Sequence, residues 1–166
     1  IRHTKSRGFI TSGGLGTMGF GYGAAIGAQV ANPDATVINV TGDGCFHMNM
    51  NELSTAAKES LPIVEVIMNN NVLGMVRQWQ RLFYEKRFSN TTLNKKTNYN
   101  MVAEGLGAKA FTVTSKSELE DAVRAALECR DTPTVINCII DPDQTVLPMV
   151  PGGSSIEDPI LEIEID

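Results

Sequence analysis

Two short polar clusters carry side chains that could do chemistry, Gly42-Asp43-Gly44 and Asn69-Asn70-Asn71. A carboxylate and a carboxamide oxygen are both hard donors, suited to Mg²⁺ but too few to hold it alone. The ion would complete its octahedron with a backbone carbonyl, a water and the oxygens of a diphosphate. Gly42 and Gly44 would let the main chain approach that diphosphate, and a helix after Asp43 would add N–H groups and a favourable dipole. A plainer reading fits as well: Asp43 caps the next helix and the asparagines make a turn. Upstream, Gly14-x-Gly16-x-x-Gly19 satisfies the dinucleotide spacing. The acidic residue that motif needs could only be Asp43, whose Gly-Asp-Gly setting suits a diphosphate and Mg²⁺ better.

The elements around these clusters must place them at one edge. Residues 36–41 are β-branched and nearly continuous, the pattern of a strand covered on both faces, and 63–68 repeat it. The first strand ends at Asp43 and the second at the asparagines, so a right-handed crossover would set Asp43 and Asn70 side by side. Ligands of such sheets bind beyond the carboxyl ends of the strands. A short strand is expected at 9–11 and a glycine-rich, close-packing helix at 17–30. A flexible linker over the glycine run is the alternative, but Met18, Phe20, Ile26 and Val30 suit packing better. After Gly44 a helix runs to about residue 59, another spans 73–83, and 85–97 reads as a mobile loop. Asn98 caps a helix to Gly105, 108–113 form a strand, Ser115 and Glu118 form a capping box opening a helix to about Cys129, and 134–140 form the last strand. Alternating strands and helices imply an α/β fold: a three-layer, doubly wound, mostly parallel sheet with helices on both faces. Residues 1–147 read as one domain and 148–166 as a Pro/Gly/acidic arm.

Composition narrows the partners. With 166 residues and 42% hydrophobic content the chain can bury a core. Its 14 basic and 19 acidic residues leave a net charge of −5, with no basic run. No nucleic acid and no membrane partner are expected, and no signal peptide or span is read. Three cysteines without metal spacing, Cys45, Cys129 and Cys138, fit reduced thiols in a cytosol-like compartment.

Gly42-Asp43-Gly44 followed by Asn69-Asn70 resembles the thiamine diphosphate fingerprint of the pyruvate-decarboxylating superfamily. Three longer stretches resemble the large catalytic subunit of acetolactate synthase (acetohydroxyacid synthase). They are Thr11-Ser-Gly-Gly-Leu-Gly-Thr-Met-Gly-Phe-Gly21, Asn69-Asn-Asn-Val-Leu-Gly-Met-Val-Arg-Gln-Trp-Gln80 and Leu147-Pro-Met-Val-Pro-Gly-Gly153. The likeness covers practically the whole chain, and that family's chain is several times longer. The sequence therefore looks like its C-terminal, diphosphate-binding domain. The same domain of another thiamine diphosphate carboligase or 2-keto acid decarboxylase is the alternative, and the Met75/Trp79 block speaks against it.

The resemblance implies residue roles. Asp43, the Asn70 side chain and the Val72 carbonyl would be Mg²⁺ ligands, and Gly44 and Cys45 would offer N–H groups to the diphosphate beside Gly42. Met18 would pack beneath the cofactor and hold its two rings in a V, Met75 would touch the pyrimidine, Gly74 would give clearance beside it, and Trp79 would line the substrate channel. Cys45 stands where relatives often carry serine, and no base nearby suggests a thiol nucleophile. His47 tempts a general-base reading but is expected to pack or cap; His3 is the other histidine. Tyr22-Gly23 departs from the Leu-Pro of relatives, so the helix there could begin differently. No catalytic residue is assigned, because the activating glutamate belongs to another subunit's N-terminal domain. None of Glu52, Glu59 or Glu65 matches its context. The implied reaction decarboxylates pyruvate and joins the two-carbon unit to a second pyruvate or to 2-oxobutyrate, towards branched-chain amino acids. Implied partners are the remaining domains of the large subunit, a homodimer or tetramer and a regulatory small subunit, with FAD in the full-length enzyme only. A bacterial cytoplasm is the expected location, or a plastid or mitochondrion in a eukaryote. The domain alone is expected to be inactive.

Overall fold

A computed structural model describes residues 6–93 and 96–162. Four strands, β1 (Ile38–Gly42), β2 (Val64–Asn69), β3 (Lys109–Val113) and β4 (Thr134–Ile139), form one sheet in the order β1-β2-β4-β3. Every neighbouring pair is parallel. β2 and β4 occupy the centre, where side chains of alternating parity must be apolar on both faces. Ile63, Ile67 and Val135 point into one core, completed by α1 (Phe20–Ala31), α2 (Asp43–Asn49), α3 (Glu52–Lys58) and α5 (Tyr99–Gly105). Val64, Ile136 and Cys138 point into the other, closed by α6 (Lys116–Glu128). The α/β, three-layer, parallel arrangement expected from the sequence is therefore observed.

Local signals set several boundaries. Asn98 caps α5 by accepting from Met101 N–H, and Ser115 with Glu118 forms the full capping box at α6. Four expectations give way. Residues 9–11 are not a strand: among the described residues β1 forms the sheet edge, and 9–11 do not join the sheet. Among the described residues the Gly14–Gly19 pattern consequently follows no strand, as a dinucleotide site would require. Only one face of β1 is covered: Ile38 is 51% and Val40 60% exposed, since α6 packs chiefly on β3 and β4. The single helix expected after Gly44 is two. Around Met50 and Asn51 the backbone bonds tighten to i−3 (Leu53 to Met50, Ser54 to Asn51), and the Ser54 hydroxyl also takes the Asn51 carbonyl at 2.8 Å.

The loop read as mobile is tied down on its site side. Ser89 exchanges hydrogen bonds with the Gln80 side chain, and Thr92 bridges Val72 in antiparallel fashion. Beyond β4, the segment from Asp141 is held by α4 (Gly74–Phe83). Gln78 pairs with both backbone groups of Val146, at 2.8 and 3.1 Å, and Arg77 meets Asp143 at 2.8 Å. Among the described residues, no helix is long and apolar enough to cross a membrane.

Candidate metal and diphosphate site

The site is assembled from two strand ends. Gly42 pairs in register with Met68, so Asp43 and the turn at 69–71 emerge level with each other. Asp43 is buried, at 2% exposure. Its carboxylate Oδ1 accepts from Gly44 N–H at 3.0 Å and its Oδ2 from Asn71 N–H at 2.8 Å. The second bond joins the two polar clusters directly. Burial pushes the Asp43 pKa above the usual carboxylate range, while the N–H donors and nearby His47 pull it down. No lysine or arginine among the described residues pairs with it. A buried carboxylate without a cationic side chain is one that a divalent ion would stabilise. The residues present therefore fit a Mg²⁺ ion.

The turn offers the other donors. Asn71 has φ +58°, a left-handed conformation that asparagine tolerates. Asn70 Oδ1 accepts from Val72 N–H at 3.1 Å. The Asn70 amide nitrogen lies 2.8 Å from where a Cβ on Gly74 would stand, so the missing side chain makes its room. The first turn of α4 bonds from Arg77 N–H to Leu73 O, which leaves the Val72 carbonyl outside the helix ladder. On its outer side the turn is clamped by Leu73 N–H to Thr91 O (2.7 Å) and Leu93 N–H to Asn71 O (2.9 Å).

The glycine run meets the same place. Gly19 takes φ +83° at the start of α1, a conformation costly for other residues, and its Cα side presses on Met48. Met18, just before it, brings its terminal methyl to 3.1 Å of the Cβ position of Gly44, with Leu73 at 3.0 Å and Leu93 at 3.6 Å. A Cβ on Gly42 would meet nothing within 4 Å, so the main chain there is open to approach. Cys45 is a half-buried free thiol. His47 packs its ring against Tyr99 at 5.3 Å, in line with the packing role expected of it. Despite the Tyr22-Gly23 departure, α1 forms, with Tyr22 buried in the core.

Met75 and Trp79 lie on the outward face of α4. With Val76, Gln80, Tyr84 and Arg87 they line an open, largely apolar groove of about 490 Å³, and Trp79 meets Phe83 edge to face at 5.4 Å. Among the described residues no three His, Cys, Asp or Glu side chains cluster as a metal site; the set assembled here has one carboxylate and amide and carbonyl oxygens. Sequence reasoning missed Leu93 and Thr91, which a loop of polar composition gave no reason to place here. His3 lies outside the described residues.

Comparison with known proteins decides the family. Residues 1–138 match the model described as thiamine pyrophosphate enzyme, C-terminal TPP binding domain. The chain belongs to this family. Its TPP-binding domain is 46% identical to the acetolactate synthase isozyme 2 large subunit of Escherichia coli, over 93% of this chain and 28% of that one. It is 48% identical to the acetolactate synthase large subunit of Corynebacterium glutamicum, over 93% and 25%. The chain thus spans about a quarter of the length of these relatives. Among solved structures it resembles a thiamine diphosphate-dependent 4-hydroxybenzoylformate decarboxylase of Rhodococcus jostii RHA1, with a TM-score of 0.71 and 31% identity over 76% of this chain and 24% of that one.

Proposed function

We propose that this TPP-binding domain supplies the Mg²⁺ and diphosphate half of an acetolactate synthase. In this reading the enzyme condenses two pyruvates, or pyruvate and 2-oxobutyrate, with loss of CO₂. One observation carries the reading: Asp43, the 70–72 turn, Gly44 and the Met18 methyl converge on a single spot at the strand ends. The identity to acetolactate synthases supports the choice of reaction within the superfamily.

Asp43, the Asn70 oxygen and the Val72 carbonyl would hold Mg²⁺, and the Gly44 and Cys45 N–H groups would meet the diphosphate. Bound thiamine diphosphate supplies an electron sink for decarboxylating a 2-keto acid. The chain's part is to orient and desolvate it: Met18 from below, Met75 from the α4 side, with Trp79 shaping the approach of the second keto acid. The activating carboxyl comes from another domain. The remaining domains, FAD, a homodimer or tetramer and a regulatory small subunit belong to the same proposal, and the segment from Pro148 is an arm lying on one of those surfaces.

Titration with thiamine diphosphate, with and without Mg²⁺, tests it by heat and by the fluorescence of the single tryptophan, Trp79. Saturable binding that requires Mg²⁺ and is lost in Asp43→Ala is expected, with NAD showing none. Equal affinity in wild type and Asp43→Ala refutes the assignment. In the full-length enzyme, decarboxylation of pyruvate to acetaldehyde without acetolactate would favour a decarboxylase, as in the structural relative.

A further inference from the structure

A line of side-chain amides, buried at its first two members, runs from the 69–71 turn across the sheet to its surface. Asn69 Nδ2 donates to Asn137 Oδ1 at 2.9 Å, and Asn137 Nδ2 donates to Asn100 Oδ1 at 3.3 Å. Asn100 Nδ2 in turn donates to Thr112 Oγ1 at 2.9 Å. The line thus links β2, β4, α5 and β3. Asn69 and Asn137 are both buried. At its site end, Asn69 Oδ1 accepts from Asn71 N–H at 3.2 Å, the same N–H that Asp43 accepts at 2.8 Å.

An amide has a donor end and an acceptor end, so the line has a direction. The Asn71 N–H, shared with Asp43, faces Asn69 at 3.2 Å and so favours its oxygen over its nitrogen there. That turns the Asn69 nitrogen to Asn137, whose oxygen must face it, and the Asn137 nitrogen then needs the Asn100 oxygen. Reversing Asn69 or Asn137 sets donor against donor in a buried place, which costs a hydrogen bond and a desolvated group. Asn137 otherwise stands in a strand of apolar neighbours, Val135, Ile136, Cys138 and Ile139, where an apolar side chain of its size would pack without needing partners.

We propose that Asn137, backed by Asn100, is a positioning residue for the metal-holding turn. It fixes the rotamer of Asn69, which holds Asn71 in its left-handed conformation and so aims the Asn70 side chain and the Val72 carbonyl. This inference rests on the reading of Asp43, Asn70 and Val72 as the Mg²⁺ ligands.

The test uses Asn137→Leu and the milder Asn100→Ala, with Asn137→Asp as the conservative variant that keeps an acceptor for Asn69. Two quantities are measured: amide hydrogen exchange of a peptide covering residues 69–73 without ligand, and the Mg²⁺ concentration that half-saturates thiamine diphosphate binding. In Asn137→Leu, exchange at 69–73 accelerates while peptides from β1 and α6 hold steady, and the Mg²⁺ requirement rises about tenfold, the usual scale for a residue behind a metal ligand. Asn100→Ala shifts both in the same direction by less, and Asn137→Asp recovers part of the loss. Unchanged exchange at 69–73 overturns the proposal, as does acceleration spread evenly over the whole sheet, which marks a purely structural residue. Faster local exchange with an unaltered Mg²⁺ requirement overturns it too, and places the fault in the metal reading of the turn rather than in the line of amides.

Discussion

Replacing Glu65 by glutamine tests how a carboxyl survives in the centre of this sheet. Glu65 sits on β2 beneath α1, is 1% exposed, and accepts from Asn39 Nδ2 at 2.7 Å. Asn39 is its register partner on β1, and its amide lies so close under Gly21 that a Cβ there would come within 2.5 Å. The hydroxyl of Tyr22, on α1, is buried with no hydrogen-bond partner among the described residues, and the Glu65 carboxylate adds to the burial that pushes its pKa far up. Burial likewise pushes Glu65 from 4.5 to about 8, against the pull of the Asn39 hydrogen bond.

The folded state thus holds this proton more tightly than the unfolded chain, so stability falls as pH rises between those two values. Each pH unit in the window costs about 1.4 kcal/mol. Between pH 5 and pH 8 the wild type should lose about 3 kcal/mol on this account alone. Glutamine keeps the oxygen that Asn39 needs and does not titrate. Asp43, also raised by burial, titrates in both proteins and cancels in the difference. Urea unfolding of both at half-unit steps of pH gives the two slopes. The Glu65→Gln profile is expected to be flatter by about 1 kcal/mol per pH unit near neutrality, with the variant overtaking the wild type as pH rises. Parallel profiles would refute the reasoning, because they would mean that Glu65 is hydrated or paired in the folded protein.

Two further outcomes follow from close contacts. Gly74→Ala puts a Cβ within 2.8 Å of the Asn70 amide nitrogen, the far end of a side chain that can swing away. The penalty should fall on metal binding, with the Mg²⁺ requirement for thiamine diphosphate raised about tenfold and the urea midpoint little changed, as for other residues that orient a metal ligand. Gln78→Leu removes both bonds to Val146 and should free the segment from Asp141 onward, seen as faster limited proteolysis there. The two lost hydrogen bonds bound the stability cost at about 1–3 kcal/mol.

What the sequence alone determined is whatever depends on near neighbours along the chain. The caps at Asn98 and Ser115 were legible because a side chain and the N–H it serves lie three residues apart. Strands 36–41 and 63–68 were legible from their branched residues, and the two polar clusters from their place at the strand ends. The family resemblance added expected roles for Met18, Val72 and Met75 that no periodicity contains. The tertiary structure decided everything that depends on which strand lies beside which. Residues 36–41 carry the pattern of a covered strand, yet β1 is an edge with Ile38 and Val40 exposed, because its depth in the sheet is set by the order β1-β2-β4-β3. Residues 9–11 have strand composition, yet they join none of the four strands among the described residues. Asn137 reads as an ordinary strand residue until β4 is placed against β2 and its amide meets that of Asn69, 68 residues away. Glu65, one more charge in the sequence, becomes a buried acid only when α1 closes over it. Hydrogen bonding along the chain is local, whereas burial and strand pairing are sums over distant segments, and those sums placed the donors around Asp43.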